Sequence, residues 1–404
     1  MAEGDNGARP LEGVRVVEMG SLLAGPFCGQ LLADFGAEVI KLEPPGKGDP
    51  MRVWGRHRKE RRTLWWPIIA RNKKSVTLNL REEEGQDLAR RLISEADVVV
   101  ENFRPGTLER WDLGYGDLSE INPGLVMVRV SGYGQTGPYK DQAGFGSIGE
   151  AMGGIRHVTG YPDRPPPRVG ISLGDSLAAT FGALGAVTAL YNRAARGGKG
   201  QVVDVGIYEA VLALMESTIP EYALTGHIRS RTGAILPFVA PSNTYPTGDG
   251  DYVVIGANAD TVFGRFAKAL GHPEWAEGER YATHHARGEN QEELDGLISD
   301  WTRQRTAQEV LEIMREASVP AGKLFTAEDM LSDEQYAARQ NIVTVDDPEI
   351  GPFPMQNVVP RLSETPGEVR WTGPKLGQHN DEVFKEVLGM SEDDLDGLRE
   401  RGIV

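Results

Sequence analysis

The sequence predicts an α/β protein, a large part built on a parallel sheet followed by a smaller α+β domain. Three observations predict it. Short apolar runs alternate with helical segments through the first half, the signature of parallel strands joined by crossover helices. The 404 residues exceed the roughly 250–300 at which single cores stop growing. After about residue 224 turn signals cluster and helical segments dominate, so the expected divisions are 1–224, 225–335 and a terminal stretch, 336–404.

The elements follow in order. Residues 14–19 (VRVVEM) read as a buried first strand and 26–35 as a helix opening on Pro26, whose missing N–H costs nothing there. Residues 38–42 make a second strand after the Phe35-Gly36 break, 82–95 a helix, and 97–101 (DVVVE) and 125–130 (LVMVRV) further strands. A long helix opens at Asp175 and runs over 176–191. Residues 201–205 form a strand that feeds a helix over 207–222. In the second part 244–251 (TYPTGDGD) is turn-rich, 252–256 is a strand, and 260–270, 291–303 and 306–317 are helical. The last carries a capping box, Thr306 with Glu309. Prolines 352, 354, 360, 366 and 374 suit an extended strap across a surface rather than a core element, before a last helix near 381–388.

Composition narrows the function. With 43 Lys+Arg against 59 Asp+Glu the formal charge is -16, which argues against general nucleic-acid or anionic-membrane binding. One cysteine, Cys28, excludes an intrachain disulfide and favours the cytoplasm. The first ten residues have no apolar core of a secretory signal. The longest uncharged stretch is seventeen residues, 176–192, short of the roughly 20 of a bilayer span, and reads as a buried helix.

Several chemistries fail on spacing. Gly20, Gly25 and Gly29 do not make a dinucleotide fingerprint, and no phosphate-binding P-loop exists. Ser147 sits one residue short of a nucleophile elbow. Seven histidines, His284-His285 among them, form no Cys/His set, so no metal is expected. Cys28, inside the first helix, reads as a small hydrophobe.

Three features survive. Residues 52–62 (RVWGRHRKERR), with Arg71, Lys73, Lys74 and the tryptophans 54, 65 and 66, are either a solvated loop or a site for a compact polyanion with an aromatic base. The loops 21–27, 102–106 and 131–138 lie at the strands' carboxyl ends, where open α/β sheets bind ligands, with Arg104 and Arg110 nearby. Asp175 is either an N-cap, the commonest role for Asp at a helix start, or a nucleophilic carboxylate kept anionic by the helix N-terminus.

The segments LEGVRVVEMGSLLAGPFCGQLLADFGAEVIKLEPPGKGDPMR, RNKKSVTLNL, ADVVVENFRPGTLERWDLGY, INPGLVMVRVSGYGQTGP, GISLGDSLAAT and PKLGQHNDEVFKEVLG together resemble the family III CoA-transferases, the group of formyl-CoA:oxalate and carnitine CoA-transferases. The resemblance is collinear over nearly the whole chain. It implies a Rossmann-like large domain, a smaller domain, a terminal strap belonging to the large domain, and an interlocked homodimer. It puts the nucleophile at Asp175. CoA contacts fall near Ala24, Leu78, Arg81, Asn102, Phe103, Arg104 and Arg110, and acyl-group contacts near Leu23, Trp54 and Phe145. Coenzyme A enters as substrate and product, with no permanent cofactor.

Two rivals stand beside that reading. An α-methylacyl-CoA racemase shares the fold, but such enzymes carry His-Asp in the segment that here reads Ala143-Gly144-Phe145-Gly146; proton abstraction needs bases within reach, and Phe145-Gly146 supplies neither. A non-catalytic CoA-binding subunit beside a homologous partner is the other; Asp175 weakens it. Formyl-CoA:oxalate enzymes have glutamine at the position of Leu23 and a glycine-rich insertion that the short segment 235–250 lacks. The compact stretch before 258 resembles instead the branch using succinyl- or glutaryl-type dicarboxylates, with Arg52 or Arg71 as candidates for the distal carboxylate.

Overall fold

The structure, a computed structural model, describes residues 9–59 and 62–404. By contact it forms two compact units. One comprises residues up to Ile155, Val169–Ile219 and Ala337–Val404; the other comprises Arg156–Arg168 and Pro220–Tyr336.

A six-stranded sheet organises the first unit. Its strands are β1 (Arg15–Glu18), β2 (Glu38–Glu43), β3 (Lys73–Thr77), β4 (Val98–Glu101), β5 (Val126–Ser131) and β6 (Val202–Gly206). All pair in parallel, in the spatial order β3-β2-β1-β4-β5-β6. This is the doubly wound, Rossmann-like order. Its direction reverses between β1 and β4, which opens a crevice beyond their carboxyl ends. Both faces are covered, so strands such as β4 and β5 are buried at every residue and apolar on both sides over Val98–Val100 and Val126–Val128.

The helices of this unit include α1 (Ala24–Asp34), α2 (Glu83–Ser94), α3 (Tyr115–Ile121), α4 (Gly146–Met152), α5 (Leu173–Arg196) and α6 (Ile207–Leu212). On one face Val17, Ile40, Val99 and Met127 pack with Leu88 and Leu92 of α2. On the other, Val16, Val39, Val98 and Val128 pack with Cys28 and Leu32 of α1 and the alanines of α5. By length and composition α5 is apolar enough to cross a bilayer. It turns Ala178, Ala179, Gly182, Ala183, Ala186 and Ala189 inward, small residues that allow close approach to the strands.

Three elements differ from expectation. β3 was not anticipated, because Lys73, Lys74 and Ser75 hide its apolar pattern; Lys73 and Ser75 are nevertheless buried, facing carboxylates described below. The helix expected over 207–222 is two, α6 and Thr218–Thr225, interrupted where Glu216 takes φ +49°. The tail is extended and then helical over Asn380–Glu382 and Val383–Val387, as expected, but it also pairs with itself and ends in a further helix. Two strands, Ile342–Asp347 and Gly351–Gln356, form an antiparallel ribbon in which Pro352 and Pro354 stand opposite Asp346 and Thr344. Beyond the strap, Val383, Phe384, Leu395 and Leu398 are buried in the sheet's core, so the terminus is a core element, and its last helix is Glu392–Glu400.

The second unit carries a three-stranded antiparallel sheet, Ala321–Lys323, Tyr252–Gly256 and Ser242–Pro246 in spatial order. Tyr245, Val253 and Ile255 pack against Phe263, Phe266, Leu294 and Val310 of its helices. The Thr306–Glu309 capping box forms: Thr306 N–H donates to Glu309 at 2.7 Å, and Glu309 N–H to the Thr306 hydroxyl at 3.2 Å.

Candidate active site

The loop leaving β1 sits at the point where strand order reverses, and side chains hold the backbone of Gly20, Ser21 and Leu22. Lys41 Nζ donates to Gly20 O at 2.8 Å. The Asn102 amide accepts from Ser21 N–H at 2.7 Å and donates to Ser21 O at 2.9 Å. Asp49 accepts the N–H of Leu22 at 3.1 Å, a residue held at φ +64°, which is unfavourable for leucine. A Cβ on Gly20 would lie 2.9 Å from Asn102 Oδ1, so only glycine fits there.

A buried charge network underlies this loop. Lys41 pairs with Glu18 and Asp49, both at 2.9 Å, and Lys73 pairs with Glu18 at 2.7 Å. Burial pulls the Lys41 ammonium down, but Glu18, Asp49 and Glu43 more than offset it and hold it above its ordinary value. Burial pushes Glu43 and Asp49 up, yet their cations and hydrogen bonds hold both below the usual carboxylate range. For Lys73 burial prevails, and its pKa is lowered.

Above the network lies a cleft of about 800 Å³ lined by Met19, Gly20, Ser21, Lys47, Leu78, Asn79, Arg81, Phe103 and Trp111, among others. It thus brings together three expected CoA contacts, Leu78, Arg81 and Phe103. Phe103 stands edge-on to Trp111, ring centres 5.5 Å apart. Asn102 acts at the rim through Ser21. Ala24, the first residue of α1, is buried. The Arg104 guanidinium donates to the Asp141 carbonyl, tying the loop after β4 to the one after β5. Arg110 donates to the Thr107 hydroxyl at 3.1 Å, outside the cleft lining. Leu23 packs on Met51 and Trp66, while Trp54 and Phe145 are 45% and 65% exposed.

Asp175 is not the N-cap. Ser172 holds that position and Asp175 lies in the first turn of α5. The turn is capped from outside: Glu150 of α4, 2% exposed, accepts the Gly174 N–H at 3.2 Å. A Cβ at Gly146 would fall 2.4 Å from Asp175 Oδ2, so the carboxylate lies directly against the start of α4. The loop ahead of α4 folds on itself, a Cβ on Gly132 meeting Gly144 Cα at 2.7 Å. Sequence reasoning missed Glu150, Lys41 and Asp49. A charged residue inside an otherwise apolar strand (Lys41), or between glycine and proline (Asp49), was the available signal.

The candidates for a distal carboxylate are both occupied. Arg52 grips Glu43 through two bonds of 2.7 Å, donates to Pro374 O, and lies 3.7 Å over the Trp66 ring. Arg71, 4% exposed, is paired bidentately with Asp34 at 3.0 and 2.6 Å. Arg62 pairs with Asp347 at 2.9 Å; of the basic cluster, residues 60 and 61 lie outside the described residues. Cys28 is fully buried, and burial with the nearby Glu18 charge pushes its thiol up to about 12. Thiol alkylation of the folded protein at pH 8 is therefore expected to be negligible, and rapid once denaturant is added, as mass spectrometry would show. Among the described residues no cluster of three or more His, Cys, Asp or Glu is placed to hold a metal.

Residues 11–380 match CoA-transferase family III. The chain belongs to that family. This family III CoA-transferase is 66% identical, over 98% of both chains, to the succinyl-CoA–D-citramalate CoA-transferase of Chloroflexus aurantiacus. It is 40% identical, over 100% of both chains, to the beta subunit of the succinyl-CoA–L-malate CoA-transferase from the same organism. A CaiB/BaiF family protein from Brucella suis superposes with a TM-score of 0.83 at 35% identity, covering 94% of this chain and 100% of the other.

Proposed function

We propose that this CoA-transferase moves CoA from succinyl-CoA to a dicarboxylate of the citramalate type, with Asp175 as nucleophile. The 66% identity over 98% of the chain to a succinyl-CoA–D-citramalate enzyme carries the substrate reading. A first-turn carboxylate on a 24-residue helix, pressed on a glycine, supports the nucleophile.

In the proposed course an Asp175 oxygen attacks the succinyl-CoA thioester, the C–S bond breaks, and CoA leaves as thiolate, giving a succinyl-aspartyl anhydride. The thiolate attacks the aspartyl carbonyl, releasing succinate and forming aspartyl-CoA thioester. The acceptor carboxylate attacks that thioester and again expels thiolate. The thiolate then takes the acceptor's acyl group from the second anhydride and restores Asp175. Each tetrahedral oxyanion needs preorganised donors.

The test is incubation with succinyl-CoA and D-citramalate, L-malate or glutarate, with products separated by chromatography. Citramalyl-CoA with free succinate is expected; thioester transfer to none of the three diacids would sink the substrate reading. Gly146→Ala supplies a geometric check. Displacing the nucleophile by an ångström costs about 10²-fold, so turnover should fall by about that factor with the circular dichroism unchanged. The same crowding opposes a racemase, since an acidic side chain at 146 has no room beside Asp175. For assembly we propose a homodimer, supported by Leu184, Val187 and Tyr191, 60%, 42% and 71% exposed on α5. A second homologous subunit, as the L-malate relative's name indicates for that enzyme, is the alternative that light scattering of the pure chain would reveal. On this reading the enzyme works in the cytoplasm.

A further inference from the structure

The first turn of α5, which carries Asp175, is not closed by its own N-cap side chain. A helix start is ordinarily satisfied by an N-cap oxygen that accepts the N–H of the second or third helical residue. Ser172 occupies the N-cap position, and its side chain makes no such bond among the described residues. Its carbonyl is used instead, accepting the Ser176 N–H at 3.1 Å and the Ser176 hydroxyl at 2.9 Å. The capping oxygen comes from α4. Glu150 reaches across to the N–H of Gly174, the second residue of α5, at 3.2 Å.

Glycines seat α4 for this task. A Cβ on Gly149 would lie 2.5 Å from Ile207 Cγ2, and one on Gly153 2.5 Å from Val211 Cβ, so the α4 backbone rests directly on α6. At Gly174 a Cβ would meet Gly146 O at 3.0 Å and Glu150 Cγ at 3.2 Å, which brings the start of α5 equally close. Gly146, against Asp175, and Glu150, on the Gly174 amide, are four residues apart on α4, about one turn, and so share a face. One face of α4 therefore meets both the nucleophile's side chain and the backbone turn that carries it. Glu150 is 2% exposed, so the Gly174 bond is made away from water, where solvent cannot stand in for a lost acceptor.

We propose, resting on the nucleophile reading above, that Glu150 is a positioning residue for Asp175. By holding the Gly174 amide it sets where the first turn of α5, and with it the attacking carboxylate, stands against Gly146. The role requires reach, an acceptor oxygen at the end of a side chain of glutamate's length, and not acidity. Withdrawing that oxygen lets the turn shift, and an ångström at the nucleophile costs about 10²-fold in rate. Binding of the thioester does not use this bond and is left alone.

Two substitutions separate reach from acidity. Glu150→Gln keeps an acceptor oxygen at the same reach, while Glu150→Asp keeps the acid and draws it back by one methylene. Each protein is mixed with succinyl-CoA alone, and the rate of adduct formation on the Asp175 peptide is followed by quenched-flow mass spectrometry, beside steady-state kcat and KM. Glu150→Gln should react within about threefold of the unsubstituted enzyme, and Glu150→Asp about 10²-fold more slowly in adduct formation and kcat, with KM within about twofold. A purely structural defect would reduce the number of sites labelled and not the rate at those that remain. Rates equal in all three proteins overturn the positioning role, as does a glutamine variant slowed as much as the aspartate one or more. So does an aspartate variant whose loss lies only in the fraction of sites labelled. Each of these outcomes leaves the nucleophile reading intact. An unsubstituted enzyme that gains no adduct on Asp175 overturns both.

Discussion

Asp175→Asn is expected to remove the covalent intermediate and turnover together. Asparagine keeps the shape of the side chain in the first turn of α5 but has no anionic oxygen with which to open a thioester. Losing the nucleophile of a covalent mechanism costs at least about 10³-fold in turnover. Incubated with succinyl-CoA alone, the unsubstituted enzyme should gain a CoA-sized mass on the peptide containing Asp175, converted by hydroxylamine to a hydroxamate. Asp175→Asn and Asp175→Ala should gain nothing. Asp175→Glu is the sharper variant, because it keeps the carboxylate and adds one methylene where Gly146 already leaves no room for a Cβ, 2.4 Å from Oδ2. Its expected loss is about 10²-fold or more. An adduct on any residue but 175, or an asparagine variant retaining about a tenth of the rate, would remove Asp175 from the mechanism.

The site was legible in the sequence where its residues break a local rule, and hidden where they obey one. VVVEN at 98–102 reads as a strand followed by a polar turn, so Asn102 was visible as a loop residue, and the structure shows it bonded to Ser21. Gly146 was visible only as the absence of a base. Its steric role requires knowing that α4 begins against the first turn of α5, a contact between residues 29 apart in sequence that no periodicity encodes. Arg52 and Arg71 looked available for a substrate because sequence gives charge and not pairing. Glu43 and Asp34 lie nine and 37 residues away from them and became neighbours only when β2 and α1 packed. β3 escaped notice for the same reason. Lys73 and Ser75 face buried carboxylates, so its strand pattern is disguised by partners remote in the chain.

Lys41→Met carries the largest expected effect on stability. The ammonium is 1% exposed with Glu18 and Asp49 each at 2.9 Å, and methionine leaves those carboxylates buried with less compensation. Breaking a buried ionic network by removing one member costs about 3–5 kcal/mol. In a unit of this size that lowers the first melting transition by about 10 °C. Arg15→Ala, at a pair with both side chains 29% exposed, should cost under about 1 kcal/mol. The pH dependence gives the sign. Asp49 is held below its ordinary value, so its stabilising share is present above that value and lost as pH falls through the lowered one. In Lys41→Met Asp49 loses the cation that holds it low and takes up a proton more readily, so the gap between variant and parent should narrow from pH 8 to pH 5. Adding Glu18→Gln should recover part of the loss, because one stranded charge disappears. A gap that neither narrows with acid nor responds to Glu18→Gln would mean the methionine variant fails through packing alone. The network also reaches the reaction. Lys41 and Asp49 fix the Gly20 carbonyl and the Leu22 amide, so a folded Lys41→Met protein should show a raised KM for the CoA thioester before any change in kcat.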